Sequence, residues 1–168
     1  KKVRKIRNFK TEINKRKKYN AFSLQEDKKM LKGIPNILSP ELLKILMEMG
    51  HGDELVIADG NFPAASIAQR LVRADGHNVP EILEAILKLF PLDTFETPAY
   101  IMAKVPGFEV ETPIWNTFDK LIAESSADAK IEKIERFAFY ERAKKAYAVV
   151  STSESALYAN IIIKKGVI

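Results

Sequence analysis

The chain has 168 residues, 46% of them apolar, which is enough for one compact domain with its own core. With no cysteine it has no disulfide framework, thiol nucleophile or Cys-ligated metal, which fits a reducing cytoplasm; it also lacks a bilayer-spanning apolar run and a secretory leader pattern. The net charge of +5 is uneven: residues 1–29 hold twelve of the 27 basic residues and three of the 22 acidic ones, leaving 15 basic against 19 acidic in residues 30–168. Residues 1–29 read as a solvated, dispensable extension, with a nucleic-acid or anionic-surface arm as the alternative. Met30-Leu31-Lys32-Gly33-Ile34-Pro35 reads as a natural start, so one domain is expected over residues 30–168.

Ser39-Pro40-Glu41 opens a helix: Ser39 can cap free N–H groups, Pro40 suits the first helical position, and Glu41 complements the positive end of the dipole. Leu42, Leu43, Ile45, Leu46 and Met49 give it an apolar face, and Gly50 is a stop. Glu54 to Ala58 reads as a short buried strand that delivers Asp59, Gly60 and Asn61 to a loop at its C-terminal end, where open α/β sheets commonly bind ligands. Ala64 to Arg70 is one helical turn or a loop, and Leu71 to Arg73 a brief strand. Pro80 starts a second helix, which Pro91 ends. A strand is expected over Ala99 to Val105, a helix from Thr112-Pro113, a strand over Lys130 to Glu135 and a helix over Arg136 to Lys145. Ala146 to Ser151 and Asn160 to Ile163 are the last strands. Strands alternating with helices point to an α/β fold with a mostly buried sheet.

No Gly-x-Gly-x-x-Gly, phosphate loop, nucleophile elbow or His-Glu-x-x-His is present. Two histidines without cysteine argue against zinc, while the carboxylates leave a Mg²⁺ site open. His51 stands between Gly50 and Gly52, just past a helix and just before a strand. Imidazole ordinarily titrates near neutrality, so it can give and take a proton there, and the preceding helix end would favour imidazolium. Asp53 reads as a turn residue bonding nearby backbone, His77 as solvated, Trp115 as core or interface, and Tyr140 as core before ligand. Arg136 could pair with Glu132 or Glu135, or use its guanidinium fork on two hydroxyl oxygens. Together these groups suit a small polyhydroxylated ligand and a proton transfer.

Five segments, in order, resemble the fucose mutarotase/ribose pyranase family. They are Met30–Ile34, Leu38–Lys44, Glu48-Met49-Gly50-His51-Gly52-Asp53-Glu54, Arg136-Phe137-Ala138-Phe139-Tyr140-Glu141-Arg142-Ala143 and Tyr158-Ala159-Asn160 through Val167. The resemblance covers essentially all of residues 30–168. It implies a single three-layer α/β/α domain with a mixed sheet, and interconversion of the α and β anomers of a free sugar, L-fucose, with no cofactor and no metal. It implies His51 as the catalytic acid and Asp59 and Arg136 as sugar contacts, with Tyr158, Ala159 and Asn160 lining the same pocket. It also implies a cytoplasmic homo-oligomeric ring, a decamer of two pentamers, with sites at subunit boundaries and neither nucleic acid nor membrane as partner.

The rival readings are D-ribose pyranase activity, which exchanges pyranose and furanose forms, and a sugar-binding module without catalysis. One departure bears on them. Where family members often carry Phe-Pro-Ala-His-Ser, this chain reads Phe62-Pro63-Ala64-Ala65-Ser66, and Ala65 would weaken or shift the activity if that histidine aids it.

Overall fold

The computed structural model describes residues 30–168; the basic run 1–29, and the expectations placed on it, lie outside the described residues. The compact body is residues 37–168, and residues 30–36 are a short run of turns. The body opens with α1 (Pro40–Glu48), where the Ser39 hydroxyl accepts from the Leu42 N–H at 3.1 Å and Pro40 occupies the first turn. Then follow β1 (Glu54–Ala58), the single turn α2 (Ala64–Ile67) and β2 (Leu71–Ala74). Next, α3 (Val79–Leu87) is capped by Asn78, whose Oδ1 accepts from the Glu81 N–H. The chain closes with β3 (Ala99–Met102), α4 (Ile114–Ser125), β4 (Ile131–Ile134), α5 (Arg136–Lys145), β5 (Ala148–Thr152) and β6 (Ile161–Lys164).

The six strands form one sheet in the order β2-β5-β1-β6-β3-β4. All run parallel except β6, which is antiparallel to both β1 and β3, with Val56 and Tyr100 each opposite Ile162. One face carries Leu55, Ile57, Ile101, Val150, Ile161 and Ile163 against α1, α3 and α4. The other carries Val56, Ala58, Tyr100, Val149 and Ile162 against α2 and α5. This is the three-layer α/β/α arrangement with a mixed sheet. Burial of both sheet faces explains why β5 and β6 read as unbroken apolar runs, without alternation. No helix among the described residues is long and apolar enough to cross a membrane.

Several elements are shorter than their sequence signals. β3 ends at Met102 instead of Val105, because its edge partner β4 offers pairing only from Ile131 to Ile134. β5 starts at Ala148, where pairing to Leu55 begins. The antiparallel β6 links the two ends of the sheet. Its entrance, Tyr158-Ala159-Asn160, meets the exits of β1 and β3 at one end of the sheet. Its exit, Lys164-Lys165-Gly166, meets the entrances of β1 and β3 at the other.

Candidate active site

Asp59 follows the last residue of β1 and is only 4% exposed. Asn160, entering β6 beside it, holds it at two points: Oδ1 accepts from the Asp59 backbone N–H at 2.9 Å, and Nδ2 donates to Asp59 Oδ2 at 2.7 Å. The Asn61 N–H donates to Oδ1 at 2.9 Å. Burial nevertheless raises the Asp59 pKa above the ordinary carboxylate value, the hydrogen bonds offsetting only part of that effect. The result is a fixed carboxyl that takes up a proton more readily than one in water.

Asp59, Asn61, Tyr140, Tyr158 and Asn160 line a cavity of about 210 Å³, whose apolar wall is Phe62, Met102, Phe108 and Leu157. That is below the roughly 300–1,000 Å³ of pockets for drug-sized ligands, and is on the scale of one small ring. Tyr158 has φ +56°, the one non-glycine residue with positive φ among the described residues. Side-chain contacts hold it there: its hydroxyl accepts from the Val105 N–H at 3.2 Å and its carbonyl accepts from Trp115 Nε1 at 3.0 Å. Trp115 is thus a half-buried support for the pocket. Ala159 is fully buried, with its side chain in the core, so only its backbone faces the carboxyl.

Arg136 opens α5 at the same end of the sheet, one helical turn before Tyr140. Neither acidic neighbour holds it. Glu135 caps the helix by accepting from the N–H groups of Phe137 and Ala138, and Glu132 accepts from the Thr97 hydroxyl. The guanidinium lies 4.6 Å from the centre of the Phe137 ring, and its buried Nε has no hydrogen-bond partner among the described residues. A buried donor without a partner is costly, which suits a group that receives one from a ligand. Ala65 lines a separate open crevice of about 400 Å³ with Ser66, Arg73 and Ser151, among others, and does not line the Asp59 cavity.

His51 lies at the opposite end of β1, about 16 Å of strand away at ~3.3 Å per residue. Its turn is tightly bound. The Gly50 N–H donates to Asp53 Oδ2 at 2.7 Å, which makes Asp53 structural, and Gly52 takes φ +85°, a conformation open to glycine. Lys165 then ties the turn to the sheet: its carbonyl accepts from the Gly52 N–H, and its own N–H donates to the Asp53 carbonyl. The Lys165 ammonium donates to the Leu46 and Met49 carbonyls at the end of α1. The dipole expected to act on His51 is therefore met first by a lysine cation. The imidazole itself is 48% exposed, with Nε2 3.5 Å from Asp93 Oδ1 and the Phe95 ring edge-on at 5.7 Å. His77, read from the sequence as solvated, is half-buried and lies 3.5 Å from Glu81.

One chain therefore brings together Asp59, Tyr158 and Asn160, with Arg136 at the same end, and places His51 at the far end. Both ends expose apolar side chains: Phe108 and Leu157 at the cavity, Phe137 at the start of α5, and Phe95 beside His51. The sequence reading ranked Tyr140 as core, placed Asn61 in the ligand-facing loop without giving it a role, and assigned no site role to Phe62, Phe108 or Asp93. Asp93 had a usable signal, since an Asp after Pro91-Leu92 with a free N–H two residues on is an Asx turn, and Oδ1 does accept from the Phe95 N–H.

Residues 32–168 match the RbsD / FucU transport protein family. The fucose mutarotase of Danio rerio is 54% identical over 145 residues, 83% of this chain and 95% of that protein. The human fucose mutarotase is 53% identical over 145 residues, 82% and 94% of the two chains. Among solved structures, the fucose mutarotase from Streptococcus pneumoniae in complex with L-fucose superposes with a TM-score of 0.78. It has 51% identity, and the match covers 82% of this chain and 99% of that one.

Proposed function

Since this chain belongs to the RbsD / FucU family, we propose that it is a cofactor-free mutarotase that interconverts the α and β anomers of L-fucose. The observation that carries this reading is the Asp59 cavity: a clamped, buried carboxyl and two tyrosines facing an apolar wall. L-Fucose has hydroxyls for the polar groups and a methyl group at C6 for Phe62, Met102 and Leu157. The fucose mutarotase names of close relatives support the same substrate.

The chemistry needs little more. A cyclic hemiacetal opens when the anomeric hydroxyl loses a proton and the ring oxygen gains one. The aldehyde turns about its C1–C2 bond, and the hydroxyl recloses on the other face. One group that gives and takes a proton serves both directions, and His51 is that group. Asp59 and Arg136 hold sugar hydroxyls, Tyr158 and Tyr140 flank the ring, and Asn160 keeps Asp59 aimed. Orientation supplies much of the rate.

Because β1 separates His51 from Asp59, the complete site forms between two copies, the His51 end of one against the Asp59 end of the next. Such a head-to-tail contact uses two different patches and closes into a ring, and it covers the exposed Phe95, Phe108 and Leu157. NMR saturation transfer between the α- and β-anomeric protons of L-fucose tests the activity. Wild type should accelerate exchange, and His51→Ala should lose the effect while keeping its fold. An unaccelerated wild type would overturn the reading, with D-ribose the next sugar to try.

A further inference from the structure

We propose that the crevice beside Ala65 is a second binding site, separate from the Asp59 cavity, for a neutral polyhydroxylated molecule of monosaccharide size. The inference does not depend on the acid/base role of His51. The crevice, of about 400 Å³, lies at the C-terminal ends of the parallel strands β1, β5 and β2, where α/β sheets commonly take ligands. Its volume falls within the roughly 300–1,000 Å³ of small-molecule sites.

Ser151 is the residue that points to a ligand. It is 6% exposed, and its hydroxyl, which has no hydrogen-bond partner among the described residues, opens into the crevice. Thr152 beside it shows the contrast: its Oγ1 donates to the Ala58 carbonyl at 2.8 Å and accepts from the Glu154 N–H at 3.1 Å. Two residues after Val149, Ser151 stands on the sheet face that α2 covers. There α2, a single turn, brings Ala64 and Ala65 to the crevice, and methyl groups cannot bond a hydroxyl. Ala65, where the sequence departs from the family pattern, is the exposed one of the two.

The other polar groups define what fits. Arg73 is opposite Ser151 in the β2–β5 register, with its Nε 3.1 Å from Asp75 Oδ2 and its Nη2 bonded to Oδ1. The Ser66 hydroxyl donates to the Pro63 carbonyl and keeps its lone pairs, while the Ser153 hydroxyl accepts from the Gly76 N–H and keeps its proton. Donors and acceptors are thus balanced and the ion pair adds no net charge, which suits hydroxyls, since each both gives and takes a bond. An anion would meet Asp75 and a cation Arg73, and no three metal-ligating side chains cluster among the described residues. Phe62 supplies an apolar wall that the crevice shares with the Asp59 cavity. The frame is formed in advance: the Gly60 N–H donates to the Glu154 carbonyl at 2.8 Å, and the Gly76 bond to Ser153 ties the exit of β2 to that of β5.

The test is amide hydrogen exchange on the full chain, with L-fucose and, separately, inorganic phosphate as probes. The Gly76 and Ser153 N–H groups report on the crevice, because they donate to Ser153 Oγ and the His77 carbonyl. With L-fucose at about ten times its half-saturating concentration, both should exchange about tenfold more slowly. Ser151→Ala, which removes only an oxygen, and Ala65→Phe, which fills the crevice from an exposed position, should each abolish that slowing. Both should keep the protection of the Asp59 and Asn61 N–H groups at the other cavity. Slowing confined to Asp59 and Asn61 overturns the proposal, as does slowing at Gly76 and Ser153 that survives either substitution. Protection there by phosphate and not by L-fucose overturns it too, with an anion as the occupant. Slowing at Gly76 and Ser153 but not at Asp59 supports the second site and counts instead against L-fucose as the ligand of the Asp59 cavity.

Discussion

Asp59 is a carboxyl whose surroundings pull in opposite directions: burial pushes its pKa up, while the amide of Asn160 and three backbone N–H groups pull it down, and burial wins. The consequence for stability has a definite sign. A carboxyl with a raised folded-state pKa favours the folded state below the unfolded value, near ~3.9 for Asp. That contribution is lost as pH rises through the folded value. Relative to Asp59→Asn, wild type should therefore lose stability as pH climbs from about 4 toward neutrality, as checked by thermal unfolding at fixed protein concentration. A gap constant across that range would contradict the account. Single residues were the scale at which the sequence was most informative for His51, Asp59 and Asn160, since each sits next to a turn or strand boundary with its own local signal. It was least informative for Phe108, which reaches the cavity only because the segment after β3 is brought beside the β1 exit.

At the scale of elements, caps and breakers read well because they are local chemistry. Ser39-Pro40 opens its helix as expected, and α5 has the bounds expected of it. Strand lengths read poorly because pairing partners set them: β3 stops where β4 stops. The link between α1 and β6 was also out of reach, since Lys165 meets Leu46 and Met49 across more than a hundred residues. That link gives the element-scale prediction. Lys165→Ala removes two charge-assisted bonds from the open carbonyls of α1 and loosens the turn that carries His51. The expected loss is about 1.5–3 kcal/mol in denaturant unfolding, together with slower anomer exchange. A variant as stable and as fast as wild type would show that the lysine merely lies near the helix end. A second tie crosses the sheet's other face: Arg142 Nε lies 2.9 Å from both oxygens of Glu54, and the guanidinium 3.6 Å from the Tyr100 ring centre. It fixes α5, and so Arg136 and Tyr140, to the strand that connects the two functional ends.

At the scale of the whole molecule, the topology governs the function. Periodicity and turn signals pointed to an α/β fold, but nothing in them reveals that β6 alone runs against its neighbours. That one reversal delivers Tyr158 and Asn160 to Asp59, and Lys165 to the His51 turn. His51 and Asp59 flank β1 and so lie at its opposite ends; under the proposed function, a working site takes one end from each of two copies. The most direct measurement is complementation between His51→Ala and Asp59→Asn, each inactive alone. When the two are co-assembled in equal amounts, head-to-tail contacts in which the intact His51 end meets the intact Asp59 end should arise at about one boundary in four. The account predicts recovery of about a quarter of wild-type fucose exchange. A mixture as inactive as its components, with mixed assembly verified by mass spectrometry, would contradict a site shared between chains.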